Sequence, residues 1–203
     1  LRYGKFKLEG SSFTGREPDE DRYDFDKPLF DSRSVRLSFS PDRHWATQLS
    51  HAYIKSPEPS HANEDIYRTT ASAVYSIKTL KGHLVNATAL WGMNKAKGSI
   101  AEHSFLLEGS YVTRKWMPYF RYEFVQKSSE ELSLDENMYG HHNLYPVHAL
   151  TKGSGYDIYN LGKIRLALGA HASIYFPDKK LHDLYGSLPL GVQAYLRIYP
   201  GLM

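Results

Sequence analysis

The stretch Ile164-Arg165-Leu166-Ala167-Leu168-Gly169-Ala170-His171-Ala172-Ser173-Ile174-Tyr175 decides the fold. One parity carries Ile164, Leu166, Leu168, Ala170, Ala172 and Ile174. The other carries Arg165, Ala167, Gly169, His171, Ser173 and Tyr175. Period-two alternation over this length is the mark of a β-strand with one apolar face.

The same alternation recurs about ten times along the chain. The first strand is expected over Arg2–Phe13, with Phe6 and Leu8 against Lys5, Lys7 and Glu9. It is followed by strands with apolar sets Val35/Leu37/Phe39, Trp45/Thr47/Leu49/Tyr53, Ala71/Ala73/Tyr75 and Val85/Ala87/Ala89/Trp91. Later sets are Phe105/Leu107/Tyr111, Phe120/Tyr122/Phe124 and Val192/Ala194/Leu196/Ile198. An eighth segment, Val147–Ile158, is interrupted by glycines and its facing is not legible from the sequence.

Connections take turns in length. Tight turns fall at Pro41-Asp42-Arg43, Lys81-Gly82, Arg114-Lys115 and Leu161-Gly162, where composition favours a short reversal. Between them lie long polar loops at Thr14–Ser32, Ser56–Asp65, Asn94–Ala101, Ser128–Pro146 and Pro177–Ser187. Short turns at one end and long loops at the other are the layout of an outer-membrane barrel. The expected fold is therefore all-β: a single-domain antiparallel up-and-down transmembrane β-barrel over residues 1–203, of about ten strands, or the C-terminal ten strands of a larger barrel. Leu1 begins close to a strand with no signal-peptide pattern, which suggests a mature chain or the later part of a longer one.

Composition narrows the classes. Cysteine is absent among 203 residues, which removes disulfides, thiolate metal sites and cysteine catalysis. A net charge of +3 is too small to suggest nucleic acid. The mean hydropathy is negative, yet a spanning strand needs an apolar residue only at every second position. No run of about 18 apolar residues offers a helical span. Sixteen tyrosines supply rings with a polar tip, suited to a membrane interface.

The polar parity gathers the candidate functional residues: Arg36, Arg68, Glu108, Arg121, Glu123, Arg165 and Arg197, with Lys5, Lys7 and Glu9. A charge facing hydrocarbon costs roughly 2–4 kcal/mol at the midplane, so these groups are expected to point into a lumen. There they form either a basic constriction favouring anions or a ladder of Arg–Glu pairs that fills a narrow interior. The acidic loop with Glu17, Asp19, Glu20, Asp21, Asp24 and Asp26 lacks the spacing of a calcium loop and reads as a solvated segment bridged to lipopolysaccharide by cations. His141-His142 with His148 gives a weak metal pattern, because neighbours in a strand point to opposite faces. No catalytic residue, metal or cofactor is assigned.

The whole chain resembles bacterial outer-membrane β-barrel proteins of the porin-like kind. The likeness lies in the alternating strands, the aromatic strand ends Trp45, Tyr53, Tyr75, Trp91, Trp116, Tyr175 and Tyr199, and the amphipathic strand Val192–Tyr199. Such barrels commonly end on an aromatic residue, whereas this chain continues as Pro200-Gly201-Leu202-Met203. The segments Glu9–Glu20 and Arg68–Ala73 look like those of uncharacterised members. The resemblance implies an outer-membrane location, contact with membrane lipid and lipopolysaccharide, and partnership with a second copy or another surface protein. It also implies a channel for small polar solutes with mild anion preference, or else a non-conducting barrel that displays its loops. His182-Asp183 resembles the His/Asp pairs of omptin-type barrel proteases, but no second acidic pair is apparent. A soluble lipocalin-like barrel, with the apolar parity inside, is the remaining alternative.

Overall fold

The computed structural model describes residues 1–17, 23, 27–57, 64–140, 143–160 and 164–200. Eleven strands run in one antiparallel sheet whose spatial order is their chain order. They are β1 (Arg2–Tyr3), β2 (Phe6–Phe13), β3 (Ser32–Phe39), β4 (Trp45–Ile54), β5 (Ile66–Lys78), β6 (Leu84–Ala96), β7 (Glu102–Val112), β8 (Trp116–Ser128), β9 (Leu144–Asn160), β10 (Ile164–Pro177) and β11 (Leu190–Pro200). Two one-turn helices, α1 (Glu136–Tyr139) and α2 (His182–Tyr185), sit in the last two long loops. The up-and-down architecture is the one the alternation implies.

The eleventh strand comes from the first expected one, which is broken in two. Gly4 takes a φ of +55°, a left-handed conformation open to glycine, and turns β1 back onto β2 with Tyr3 opposite Phe6. Among the described residues β2 has only β1 on its outer side and β11 has no partner beyond β10, so the sheet is not closed. The turn expected at Leu161-Gly162 lies outside the described residues.

Exposure runs opposite to that of a soluble protein. In β10 the apolar residue Leu168 is 50% exposed, whereas Ala167 and Ser173 on the polar parity are 1% and 6% exposed. In β11, Val192 is 82% exposed. Leu8, Leu37, Leu49, Leu107 and Phe120 are likewise exposed on the apolar side of their strands. Few large apolar side chains are buried: Tyr145 and Leu181 alone among the described residues are nearly sealed. Among the described residues nothing packs on the hydrophobic face.

Register shows how the wall is shaped. A line perpendicular to the strands passes from Phe39 through Thr47, Ala73, Ala89, Leu107, Tyr122, Leu150 and Ile174 to Leu190. It starts at the short-turn end of β3 and arrives at the long-loop end of β11, ten residues from Pro200. Ten residues of stagger over eight pairings, at about 3.3 Å per residue and about 4.8 Å per strand, tilts the strands by roughly 41°. Barrel walls tilt by about 35–45°. The stagger is that of a barrel wall.

Aromatic residues punctuate the apolar face at a constant interval. Trp45 and Tyr53 on β4, Tyr67 and Tyr75 on β5, Trp116 and Phe124 on β8, and His148 and Tyr156 on β9 are each eight residues apart. His83 and Trp91 at β6, and His103 and Tyr111 on β7, keep the same interval. Neighbours meet across strands: Trp45 with Tyr75, Tyr53 with Tyr67, His83 with Tyr111, Trp91 with His103 and Trp116 with Tyr156. Two bands result, about 26 Å apart along the strand and about 20 Å apart along the barrel axis after tilt. Tyr175 and Tyr199 also lie near strand ends, as expected, but on the polar parity, where the sequence already places Tyr175. The Tyr199 hydroxyl donates to Asp157 there.

Candidate functional site

The polar face collects side chains from β6 through β11 around one depression of about 480 Å³, so the sheet curls around its polar side. Glu108, Arg121, Glu123 and Arg197, four of the seven residues singled out by parity, line it. Arg121 donates through Nε at 3.1 Å and Nη2 at 2.8 Å to Oε2 of Glu108, its direct cross-strand neighbour. Glu123 is one inward position further along β8.

Three rings form the floor, and the sequence reading missed them. The Tyr119 hydroxyl lies 3.1 Å from Nδ1 of His171, whose ring centroid is 6.4 Å from that of Tyr195. Arg197 holds its guanidinium 5.4 Å from the Tyr195 ring centroid. Glycines make the room: a Cβ on Gly153 would stand 2.5 Å from the Tyr119 ring, and one on Gly169 would stand 2.2 Å from the Tyr195 ring. Each glycine is the direct cross-strand neighbour of its tyrosine. The glycines that obscure β9 are therefore seats for aromatic rings, and β9 turns Thr151, Gly153, Gly155 and Asp157 to the polar side.

The other three residues lie elsewhere. Arg36 is opposite Glu9. Arg68 bonds Asn94 at 2.8 Å near the long-loop end, in a second depression of about 340 Å³ that also holds Lys127 and Glu131. Arg165 pairs with Asp157 near the short-turn end and lies 5.3 Å from the Tyr199 ring centroid.

Depth relates these scattered groups. Counted from the short-turn end of its strand, Arg36, Arg197, Glu9 and Asp157 are each three residues in, Glu108 four and Arg121 five. Two residues of spread is about 7 Å along the strand. At this level charges of both signs alternate around the wall. Nearer the same end the polar side carries Lys7, Lys78 and Arg165, all cations. Lys7 pairs with Glu9 at 2.7 Å and Arg165 with Asp157, so the belt and the cationic mouth below it are joined, with cations in excess.

At the opposite end two loops are tied down. Asp31 Oδ1 accepts from Gly15 N at 3.0 Å and from Ser32 Oγ at 3.1 Å, and Ser32 Oγ accepts from Lys55 N at 3.0 Å. The Gly15 N–H foremost, then the Ser32 hydroxyl, hold the Asp31 carboxyl below its ordinary value of 3.8. Tyr145, 1% exposed on the polar side of β9, donates its hydroxyl to the Tyr139 carbonyl, which also accepts from Asn143 Nδ2, and so ties α1 to the wall. His141, His142 and most of the acidic first loop lie outside the described residues, and His182 and Asp183 fall in α2. Among the described residues no three His, Asp or Glu side chains converge as a metal site.

No protein-family model, curated protein or solved structure matches this chain.

Proposed function

We propose that the chain forms the wall of an outer-membrane β-barrel and provides a porin-like passage for small polar solutes with mild anion preference. One observation carries this reading: the exposed apolar face is bounded by two aromatic bands whose separation, about 20 Å, approaches the apolar band of about 25 Å that such barrels present to lipid. Tyrosine, tryptophan and histidine tolerate the interface at those bands because a polar edge accompanies an apolar ring. The polar face then borders water. Its balanced belt of Arg and Glu sets a field across the passage, and the cations at the short-turn mouth supply the mild preference for anions.

A non-conducting barrel that displays its loops is the second reading. It is favoured by the Arg121–Glu108 and Arg165–Asp157 pairs, which fill the polar side with mutually satisfied charge. In either case the partners in this account are membrane lipid, lipopolysaccharide at the long loops, and a second copy or another surface protein. Planar-bilayer recording of the purified chain decides between the two readings. Steady unitary steps with a reversal potential favouring anions support the passage; a silent bilayer under the same conditions rejects it in favour of the anchor.

A further inference from the structure

The apolar face carries a charge near its centre. Lys152 lies on that side of β9, exposed, between Phe120 of β8 and Ala172 of β10. It stands four residues from His148 and four from Tyr156, the two band residues of its own strand. That is about 13 Å from each along the strand, farther than a lysine stem reaches when it snorkels. Lys152 has no hydrogen bond or ion pair with any described residue. Beside it the surface changes character: Ser154, Ala170 and Ala194 floor a shallow depression of about 530 Å³, walled by Trp116, Tyr156 and Leu168.

We infer that this face is a docking surface within the membrane, where a different membrane-embedded protein presents a carboxylate to Lys152. The inference rests on the membrane reading above. An ammonium at this depth needs an anion, and lipid phosphates lie at the interface rather than at mid-depth. A second copy of the chain supplies none, because no described strand position on the apolar face holds Asp or Glu. The small floor lets a partner's backbone come close, as small residues do where membrane segments pack. Charge complementarity thus selects an acidic partner over lipid and over self-association.

Two measurements test this. In phosphatidylcholine vesicles without a partner, Lys152→Met should raise the folded-to-unfolded ratio in urea by a factor of about 30 to 1,000. An unchanged ratio overturns the proposal. Leu168→Arg, on the same face, should lower the ratio; if both variants are neutral, it is the membrane reading that fails. In cells, a photo-crosslinking residue at Ala172 should give one discrete protein adduct, absent when the crosslinker is at Ala89 on the same face of β6. The adduct should persist with Lys152→Arg and vanish with Lys152→Glu. Adducts to lipid alone, to a second copy, or insensitive to the charge at 152 overturn the proposal.

Discussion

Gly153→Ala places a methyl group where the structure has no room. Its Cβ would lie 2.5 Å from Tyr119 Cζ, 2.6 Å from Tyr119 Oη and 2.6 Å from His171 Cβ. The His171 Cβ moves only with its backbone, so the Tyr119 ring must leave its seat and release His171. Overpacking of this kind costs about 1–3 kcal/mol, and a lost hydrogen bond about 0.5–1.5 kcal/mol. Reduced freedom of the unfolded chain returns about 0.4–1 kcal/mol. The net destabilisation expected is about 2–3 kcal/mol. Gly10→Ala is the control, since the nearest atom to its Cβ would be Ser34 O at 3.8 Å; it should be neutral or slightly stabilising. Equilibrium urea unfolding in vesicles, followed by tryptophan emission, measures both. In a Tyr119→Ala background the Gly153→Ala cost should fall by about 1 kcal/mol, because the ring and its hydrogen bond are gone, while the 2.6 Å contact with His171 Cβ keeps the remainder. The reasoning is refuted if Gly153→Ala is as harmless as Gly10→Ala, or equally costly with and without the Tyr119 ring.

Glu108→Gln frees Arg121 from its carboxylate and should raise anion preference in bilayer reversal potentials, whereas Arg121→Ala leaves Glu108 unopposed and should lower it; changes in the same direction would contradict the assignment of this belt. Asp31 has a folded pKa below its unfolded value, so its latch on Gly15 and Ser32 is fully present above the unfolded value of 3.8 and is lost as pH falls through the folded value. Proteolysis of the first loop by an acid-active protease should therefore be slow at pH 4 and above and accelerate below it, with Asp31→Asn fast throughout. Tyr145→Phe removes one of the two donors on the Tyr139 carbonyl, leaving Asn143 Nδ2, and trypsin cleavage after Lys127 should quicken while the strand content seen by circular dichroism stays constant.

The period-two pattern was enough to read strands, facing and loop alternation wherever one parity is uniformly apolar, as in Ile164–Ile174. It failed on β9 because facing there is decided by neighbours. Gly153 and Gly155 are inward seats whose partners lie on β8 and β11, and Lys152 is a charge on the apolar side. It also merged β1 with β2, since Gly4 takes a left-handed turn that hydrophobic alternation does not register. Of the candidate site, parity identified the charged side chains but not their grouping. Glu108 and Arg121 are cross-strand neighbours, whereas Arg36 and Arg197 share only a depth, fixed by a stagger accumulated over eight pairings. Tyr119, His171 and Tyr195 do not stand out among sixteen tyrosines and ten histidines; the signal available was the placement of glycines opposite them, which needs the register to be seen.

The central claim is that the apolar face meets lipid, and the three tryptophans test it most directly. Trp45 and Trp116 sit in the short-turn band and Trp91 in the long-loop band, all on the apolar side. Variants retaining one tryptophan each, reconstituted in vesicles, can be titrated with brominated lipids and with aqueous iodide. All three should be quenched by brominated lipid, more by bromines near the glycerol than by bromines at the chain ends, and only weakly by iodide. Strong iodide quenching with no response to brominated lipid at any of the three would show that the face does not lie against a bilayer.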